Sequence, residues 1–368
     1  MPVVALSMRD FRGYESATVA FGPGLTVVWG PNGAGKTNLL EAVYFGCTGR
    51  SCRTGNDREV VRFGTRTARV VVSSTGAHGD HEFTVGFSPG EPKRMTADGA
   101  KVERLLDAPD RPLVSVFLPD RLELIKGMPA VRRAHLDQFV SALWPSRTLT
   151  RRAYAQTLAQ RNALIGRLRA GYGSRAALST WDAQLARHAI ALTSDRREAI
   201  ALVTTRFGEL GRHLGLVEEL QLEYRSRSPA ASVDELVHEL GERWESDIER
   251  GFSGHGPHRD DFVIKHGGHE LRVFGSQGQQ RIGLLALLLS EREAIGDVRP
   301  DRPLMLLDDV MSELDAARRS ALVDVLRHGG GQVVITATDL DHVPGAGDPG
   351  TTRIGVSSGR LLQEAQAA

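Results

Sequence analysis

The segment Gly30-Pro31-Asn32-Gly33-Ala34-Gly35-Lys36-Thr37 constrains this chain more than any other. It fits GxxxxGK[ST] in full, and it stands between the apolar run Leu25-Thr26-Val27-Val28-Trp29 and a helical pattern from Thr37 to about Phe45. The run has the length and character of a buried strand. Glycines let successive backbone N–H groups turn inward around phosphate oxygens, and the start of the helix adds partial positive charge. In that geometry Lys36 reaches the β- and γ-phosphates of a nucleotide, and the Thr37 hydroxyl ligates Mg²⁺. A glycine-rich turn can match the pattern by chance, but the flanking strand and helix argue for a phosphate loop.

The chain has 368 residues, more than one compact core usually holds, so two domains or one domain with a large insertion is expected. Residues 1–120 read as strands and turns around one helix. Val3 to Arg9 and Ala17 to Phe21 alternate, Gly22-Pro23-Gly24 forces a turn, and Val60 to Phe87 has the pattern of a strand meander. Residues 121–250 turn helical, with amphipathic patterns over Ala134 to Leu143, Thr148 to Arg169, Ala176 to Leu210 and Val233 to Arg250. Residues 251–368 return to alternating α/β character. Strands are expected at Phe262-Val263-Ile264, Leu271-Arg272-Val273, Leu304 to Leu307 and Val333-Val334-Ile335, with helices over Gln279 to Glu293 and Ala316 to Arg327. The expected architecture is one α/β domain split by a helical arm, with a frayed end from Gln363 to Ala368.

Leu304 to Leu307 ends in Asp308-Asp309. Two carboxylates at the tip of a buried strand are costly unless they meet a cation or water. Beside a phosphate loop, Asp308 is placed to hold Mg²⁺ through water, and Asp309 to orient or activate an attacking water. The alternative is an ordinary strand exit, since Asp favours turns. A third segment, Phe274-Gly275-Ser276-Gln277-Gly278-Gln279-Gln280-Arg281, opens an apolar helix. Ser276 suits an N-cap, and Gly278 permits close approach of a phosphate.

The order of phosphate loop, SxGQ turn, Asp-Asp strand and then Ser312-Glu313-Leu314-Asp315 resembles the ABC-type ATPase heads. Their SGGQ signature is matched at Ser276, Gly278 and Gln279, with Gln277 departing at the first glycine. Ser312 to Asp315 matches their D-loop. Within that superfamily the chain resembles the RecF family of recombination mediators. The carrying segments are Leu6 to Glu15, Gly30 to Glu41, Thr48 to Ser51, Pro119-Asp120 with Lys126-Gly127, Arg132-Arg133, Gly256 to Asp261, Phe274 to Arg281 and Leu306 to Asp315.

The resemblance implies a Rad50-like head with a helical arm. It implies ATP bound with Mg²⁺ by Gly30 to Thr37, Asn38 and Asp308, with Arg12 near the base or phosphates and Lys36 and Asp309 catalytic. It also implies an ATP-dependent homodimer in which the loop of one subunit faces Ser276, Gly278, Gln279 and Asp315 of the other. Family members bind DNA at single-strand gaps and, with RecO and RecR, help load RecA. Two departures stand out. Thr338 occupies the place of the switch His of many ABC ATPases, and Asp309 that of their longer catalytic Glu; Asp120 is a candidate γ-phosphate sensor. A shorter base sits further from the water, so slow turnover is expected.

Net charge is +1, which excludes a uniformly basic nucleic-acid binder but not a local basic face. Arg50, Arg53, Arg58, Arg62, Arg66 and Arg69 form one such cluster, and Arg147, Arg151, Arg152 and Arg161 another. Either can meet phosphates or be a solvated face; without interleaved aromatics, duplex backbone is the better-fitting ligand. Cys47 and Cys52 match no metal clip or disulfide framework, as expected of a reduced cytosolic protein. His255 and His258 lack a companion ligand set, which argues against a metal. The amino-terminal residues carry charges where a signal peptide needs an apolar core, and Ile282 to Leu289 is far shorter than the about 20 residues of a membrane span. A soluble cytoplasmic protein is expected. A transporter ATPase subunit is the main alternative, but transporter heads place the signature much sooner after the loop than Ser276 follows Thr37. A long Rad50 or SMC coiled coil is excluded by the lack of sustained heptads and of a CxxC hook.

Overall fold

Leu25–Trp29 lies inside a six-stranded sheet, as its unbroken apolar character requires. The computed structural model describes residues 1–76, 79–108, 110–118 and 122–363. The sheet order is Arg360–Gln363, Thr352–Ser357, Leu25–Trp29, Val333–Ala337, Leu304–Leu307, Val114–Phe117. All neighbours are parallel except the edge pair of Thr352–Ser357 with Arg360–Gln363. Parallel strands deliver their carboxyl ends to one side, so the residues after Trp29, Leu307 and Ala337 emerge together.

A second six-stranded sheet is antiparallel, in the order Tyr14–Ala20, Val3–Phe11, Ala68–Gly76, Gly79–Phe87, Arg94–Ala97, Ala100–Val102. Its alternation is that of a sheet with one covered face: Leu6, Met8 and Phe11 are buried while Ser7 and Arg9 are exposed. The helix Lys36–Thr48 packs against strands of both sheets and is buried on nearly every side, so it shows no strong apolar stripe. A Cβ at Gly46 would sit 2.3 Å from a methyl of Val72, so only glycine lets the helix approach that closely. Buried Gln332 ties the sheets together, accepting from Val3 N–H at 2.9 Å and donating to the carbonyls of Val3 and Gly22 at 2.7 and 2.8 Å.

The chain divides into two compact units. One holds residues 1–121, 213–215 and 295–368; the other holds 122–212 and 216–294. The expected return to the head at 251 therefore differs from the observed division, which keeps residues 251–294 with the helical unit. The reason is a small sheet of that unit, in the order His269–Glu270, Asp261–His266, Leu220–Arg225, which joins the segment to residues before the expected boundary. Leu220–Arg225 and Val114–Phe117 have no counterpart in the sequence pattern above. The expected strand Leu271 to Val273 is instead one helical turn, Leu271–Phe274, whose carbonyls are capped by the buried side chain of Gln280. The expected helix Val233 to Arg250 is two, Val233–Glu242 and Trp244–Arg250, broken at Arg243.

Within this second unit Arg161 is fully buried, bonded to Asp182 at 2.6 Å, Asp247 at 2.7 Å and Ser253 at 2.7 Å. Arg147 is held by Asp195 and Glu198 over the ring of Trp144. The arginine cluster expected here as a phosphate-binding face is thus partly structural, because burying a guanidinium demands carboxylate partners. His258 is spoken for on both ring nitrogens, by the Tyr154 hydroxyl at 2.6 Å and the Ser253 carbonyl at 2.9 Å. Burial pushes it down to about 4, so it is neutral at physiological pH. Among the described residues no group of three potential ligands could hold a metal, and no helix is long and apolar enough to cross a membrane.

Candidate nucleotide-binding site

The loop after Leu25–Trp29 is built by glycines with distinct tasks. Gly30 has φ 150°, and a Cβ there would lie 2.1 Å from the carbonyl oxygen of Val356 in the neighbouring strand. Gly35 has φ 116°, and its carbonyl accepts from the buried Tyr14 hydroxyl at 3.0 Å. Gly33, at φ 78°, has open space where a Cβ would be. Ala34 N–H donates to the Pro31 carbonyl at 3.2 Å, closing the turn over Asn32 and Gly33. Lys36 opens the helix and folds back, its ammonium donating to the carbonyls of Gly30 at 2.7 Å and Pro31 at 3.0 Å. Burial lowers the Lys36 pKa, and the nearby Asp309 and Asp308 carboxylates oppose that shift.

Thr37 follows, and its hydroxyl lies 3.0 and 2.9 Å from the two carboxylate oxygens of Asp308. The parallel sheet therefore brings together residues 271 positions apart. Asp308 is only 6% exposed. Its carboxyl is pushed above the usual range, first by burial and further by Asp309, against the hydrogen bonds from Thr336 and Thr37. Thr336 is the hinge of this arrangement: its hydroxyl donates to Asp308 at 2.7 Å and accepts from the backbone N–H of Asp309 at 2.8 Å. Asp309 adopts φ 44°, a left-handed conformation that few non-glycine residues tolerate. Strained backbone of this kind collects at functional sites.

A hydroxyl and a buried carboxylate at hydrogen-bond distance, with a second carboxylate adjacent, form an oxygen donor set of the kind Mg²⁺ takes when phosphates complete its shell. The unfavourable ionisation of Asp308 is what a cation would relieve.

Arg12 is placed less directly. It sits at φ 52° and pairs through two hydrogen bonds, at 2.9 and 2.7 Å, with Glu41 of the loop's helix. Glu41 is fully buried and also receives the Ser51 hydroxyl at 2.6 Å and Arg53 at 3.3 Å. Asn38, in the same helix, accepts from Arg53 at 3.0 Å. The sequence pattern did not single out Glu41, Tyr14 or Thr336. Thr338 lies 3.3 Å from His342 Nδ1, so an imidazole stands one short turn beyond the position where the switch His was sought. Asp120 falls outside the described residues.

In the second unit, Ser276 and Gln279 form a reciprocal cap. Gln279 N–H donates to the Ser276 hydroxyl at 3.2 Å, and Ser276 N–H to the Gln279 side chain at 2.8 Å. Ser276, Gln277 and Gly278 are exposed, at the start of the long helix Gln277–Val298. The end is open to an anion. Asp315 caps the helix Ala316–His328 through Arg318 N–H at 2.9 Å, an ordinary structural role, with its side chain 60% exposed.

A model of the AAA domain matches residues 5–108, which contain the phosphate loop. A DNA replication and repair protein RecF from Heliobacterium modesticaldum is 35% identical over 92% of this chain and 93% of its own length. The RecF of Myxococcus xanthus is 35% identical over 100% of this chain and 98% of its own. The chain belongs to the RecF family. Among solved structures, one of the recombination mediator protein RecF with ATP in the RecFOR pathway superposes with TM-score 0.86, covering 99% of this chain and 97% of that one at 26% identity. An SMC head bound to the C-terminal winged-helix domain of ScpA superposes with TM-score 0.62 at 14% identity. The fold is thus that of the ABC-type P-loop ATPase heads, with a second, largely helical unit in the same chain.

Proposed function

We infer that this protein is an ATP-dependent, DNA-binding recombination mediator of the RecFOR kind, in which nucleotide joins two copies and slow hydrolysis releases them. The observation that carries the reading is the meeting of Thr37 and Asp308 at 2.9 to 3.0 Å beside the Lys36 loop. In this reading the N–H groups of Gly33 to Thr37 and the Lys36 ammonium hold the phosphates, and Thr37 and Asp308 hold Mg²⁺. Bound Mg²⁺ supplies charge neutralisation on the phosphates. Thr336 fixes the Asp308 carboxylate and the backbone of Asp309, and the Asp309 carboxylate orients the attacking water and takes its proton. The exposed Ser276-Gln277-Gly278 end supplies the second surface of the site in a partner copy, through the same chemistry of N–H groups and helix dipole. DNA with a single-strand gap is the proposed target, with RecO and RecR as partners in loading RecA.

The reading is tested by gapped-DNA affinity and turnover. Affinity should be higher with ATP than with ADP, and DNA should raise a turnover that stays below about 1 s⁻¹. Equal affinity with both nucleotides would contradict it.

Asp308 carries a separate expectation. Its raised carboxyl binds a proton more tightly in the folded chain than in the unfolded one. Its effect on stability is therefore most favourable at low pH. It declines as pH rises through the ordinary carboxylate range to the raised value, and the full penalty remains at neutral pH. Asp308→Asn should raise the nucleotide-free melting temperature by roughly 2 °C, the effect of about 1 kcal/mol in a large domain. It should also abolish the further rise produced by Mg²⁺ with ATP. Thermal unfolding with and without both ligands checks this, and a nucleotide-dependent rise that survives the substitution would remove Asp308 from the metal site.

A further inference from the structure

The first unit carries a basic surface with an aromatic tip that the nucleotide site does not use. Register places Arg9 of Val3–Phe11 opposite Arg69 of Ala68–Gly76, Arg69 opposite Gly86 of Gly79–Phe87, and Gly86 opposite Arg94 of Arg94–Ala97. The three arginines therefore stand in one cross-strand row, with a glycine leaving the space between the second and third open. Their side chains lie on the uncovered face; those of Arg9 and Arg94 are 82% and 83% exposed. Arg94 has an exposed partner in Glu91 at 3.1 Å, and Arg9 a loose one in Asp10 at 3.9 Å.

The segment that leads into Ala68–Gly76 is a tight turn at the Arg9 end of this row. Thr65 N–H donates to the Arg62 carbonyl at 3.1 Å, and Gly64 has φ 83°. That conformation at the third turn position requires glycine or its equivalent and puts Phe63 at the tip. The turn is anchored rather than loose. Arg62 N–H donates to the Asp10 carbonyl at 2.9 Å, and its guanidinium bonds the Asp10 carboxylate at 2.8 Å. Phe63 is nevertheless 101% exposed. Arg66 and Arg69 flank it and are exposed too. The expectation of no interleaved aromatic overlooked Phe63, which stands between Arg62 and Arg66 in the sequence and which the fold sets on an anchored turn.

A fully exposed phenyl ring on an anchored turn, with the exposed Arg66 and Arg69 following it in the chain, has the chemistry of a base-stacking contact beside a phosphate track. A flat row of arginines suits the backbone of a duplex, which carries no sequence information. We propose that Phe63 stacks on the first unpaired base where duplex gives way to single strand, while Arg9, Arg69 and Arg94 hold the duplex backbone. The inference rests on the DNA-binding reading above and adds to it the means by which a junction is told from plain duplex.

The test compares wild type, Phe63→Ala and Phe63→Trp by fluorescence anisotropy with ATP, on a gapped duplex and on a fully paired duplex of equal length. A second gapped duplex carries 2-aminopurine at the first unpaired position. Phe63→Ala should weaken binding to the gapped DNA about tenfold, as expected for one lost stacked base, and change duplex binding less than about twofold. Phe63→Trp should restore the gapped affinity, and 2-aminopurine emission should be quenched by wild type but not by Phe63→Ala. Unchanged gapped affinity in Phe63→Ala overturns the proposal, as does an equal loss on both DNAs. A loss confined to self-association assigns the ring to a protein contact instead. If wild type binds neither DNA, the DNA-binding reading itself fails.

Discussion

Lys36→Ala should lower ATP hydrolysis by about 10² to 10³, the cost of losing one charged donor aimed at a reacting group. The fold should survive the change. Lys36 is 7% exposed, and its ammonium bridges the Gly30 and Pro31 carbonyls. Pro31 is exposed, so water can replace the donor at its carbonyl, while the buried Gly30 carbonyl loses a partner at a cost of about 1 to 3 kcal/mol. The functional cost is larger because charge acts more strongly where solvent is partly excluded. Burial lowers the Lys36 pKa, and the neighbouring Asp309 and Asp308 oppose that shift. Phosphate release and thermal unfolding together check the prediction. Hydrolysis within threefold of wild type by a folded variant would place the nucleotide elsewhere.

Asp309→Asn should separate binding from chemistry. Asparagine has the shape of aspartate and accepts the left-handed conformation that Asp309 adopts at φ 44°. The hydrogen bond from Asp309 N–H to Thr336 is a backbone bond and survives the substitution. The carboxylate's charge and its ability to take a proton are removed while its shape is kept. Hydrolysis should fall by about 10² to 10⁴ while ATP affinity stays near wild type, giving a long-lived nucleotide-bound form. Single-turnover hydrolysis beside equilibrium binding of labelled nucleotide reads both quantities, and unchanged hydrolysis would exclude Asp309 as the base. The same backbone gives a physical reason for aspartate here. A longer Glu would reach further toward water, but it lacks the short local hydrogen bonding that lets Asp accept a left-handed turn.

The loop from Gly30 to Thr37 was legible in the sequence because each residue answers a local demand at fixed spacing. Asp308 and Asp309 were legible because a buried strand ending in two acids needs a reason. Thr336 and Glu41 were not. A threonine in a strand and a glutamate in a helix are unremarkable until the parallel sheet sets Thr336 against Asp308, and the antiparallel sheet sets Arg12 against Glu41. The turn Leu271–Phe274 was misread because its β-branched Val273 suggests a strand, while the side chain that makes it helical, Gln280, lies in the next helix. Leu220–Arg225 alternates but is short, and its partner Asp261–His266 is remote in sequence. Phe63 shows the converse: a single aromatic beside glycine looks like loop filling until its full exposure and fixed turn are known.

In the proposed function nucleotide joins two copies, with the loop at Lys36 in one facing the turn at Ser276 in the other. Mass measurement by light scattering, with and without ATP and Mg²⁺, tests it most directly when run on wild type and Ser276→Arg. Ser276 is exposed, so arginine there costs only a helix cap, about 1 kcal/mol, and the variant should fold. ATP should double the mass of the wild-type protein and leave Ser276→Arg monomeric though still nucleotide-bound. A wild-type protein that binds ATP yet keeps the mass of one chain, or a Ser276→Arg protein that doubles normally, would contradict it.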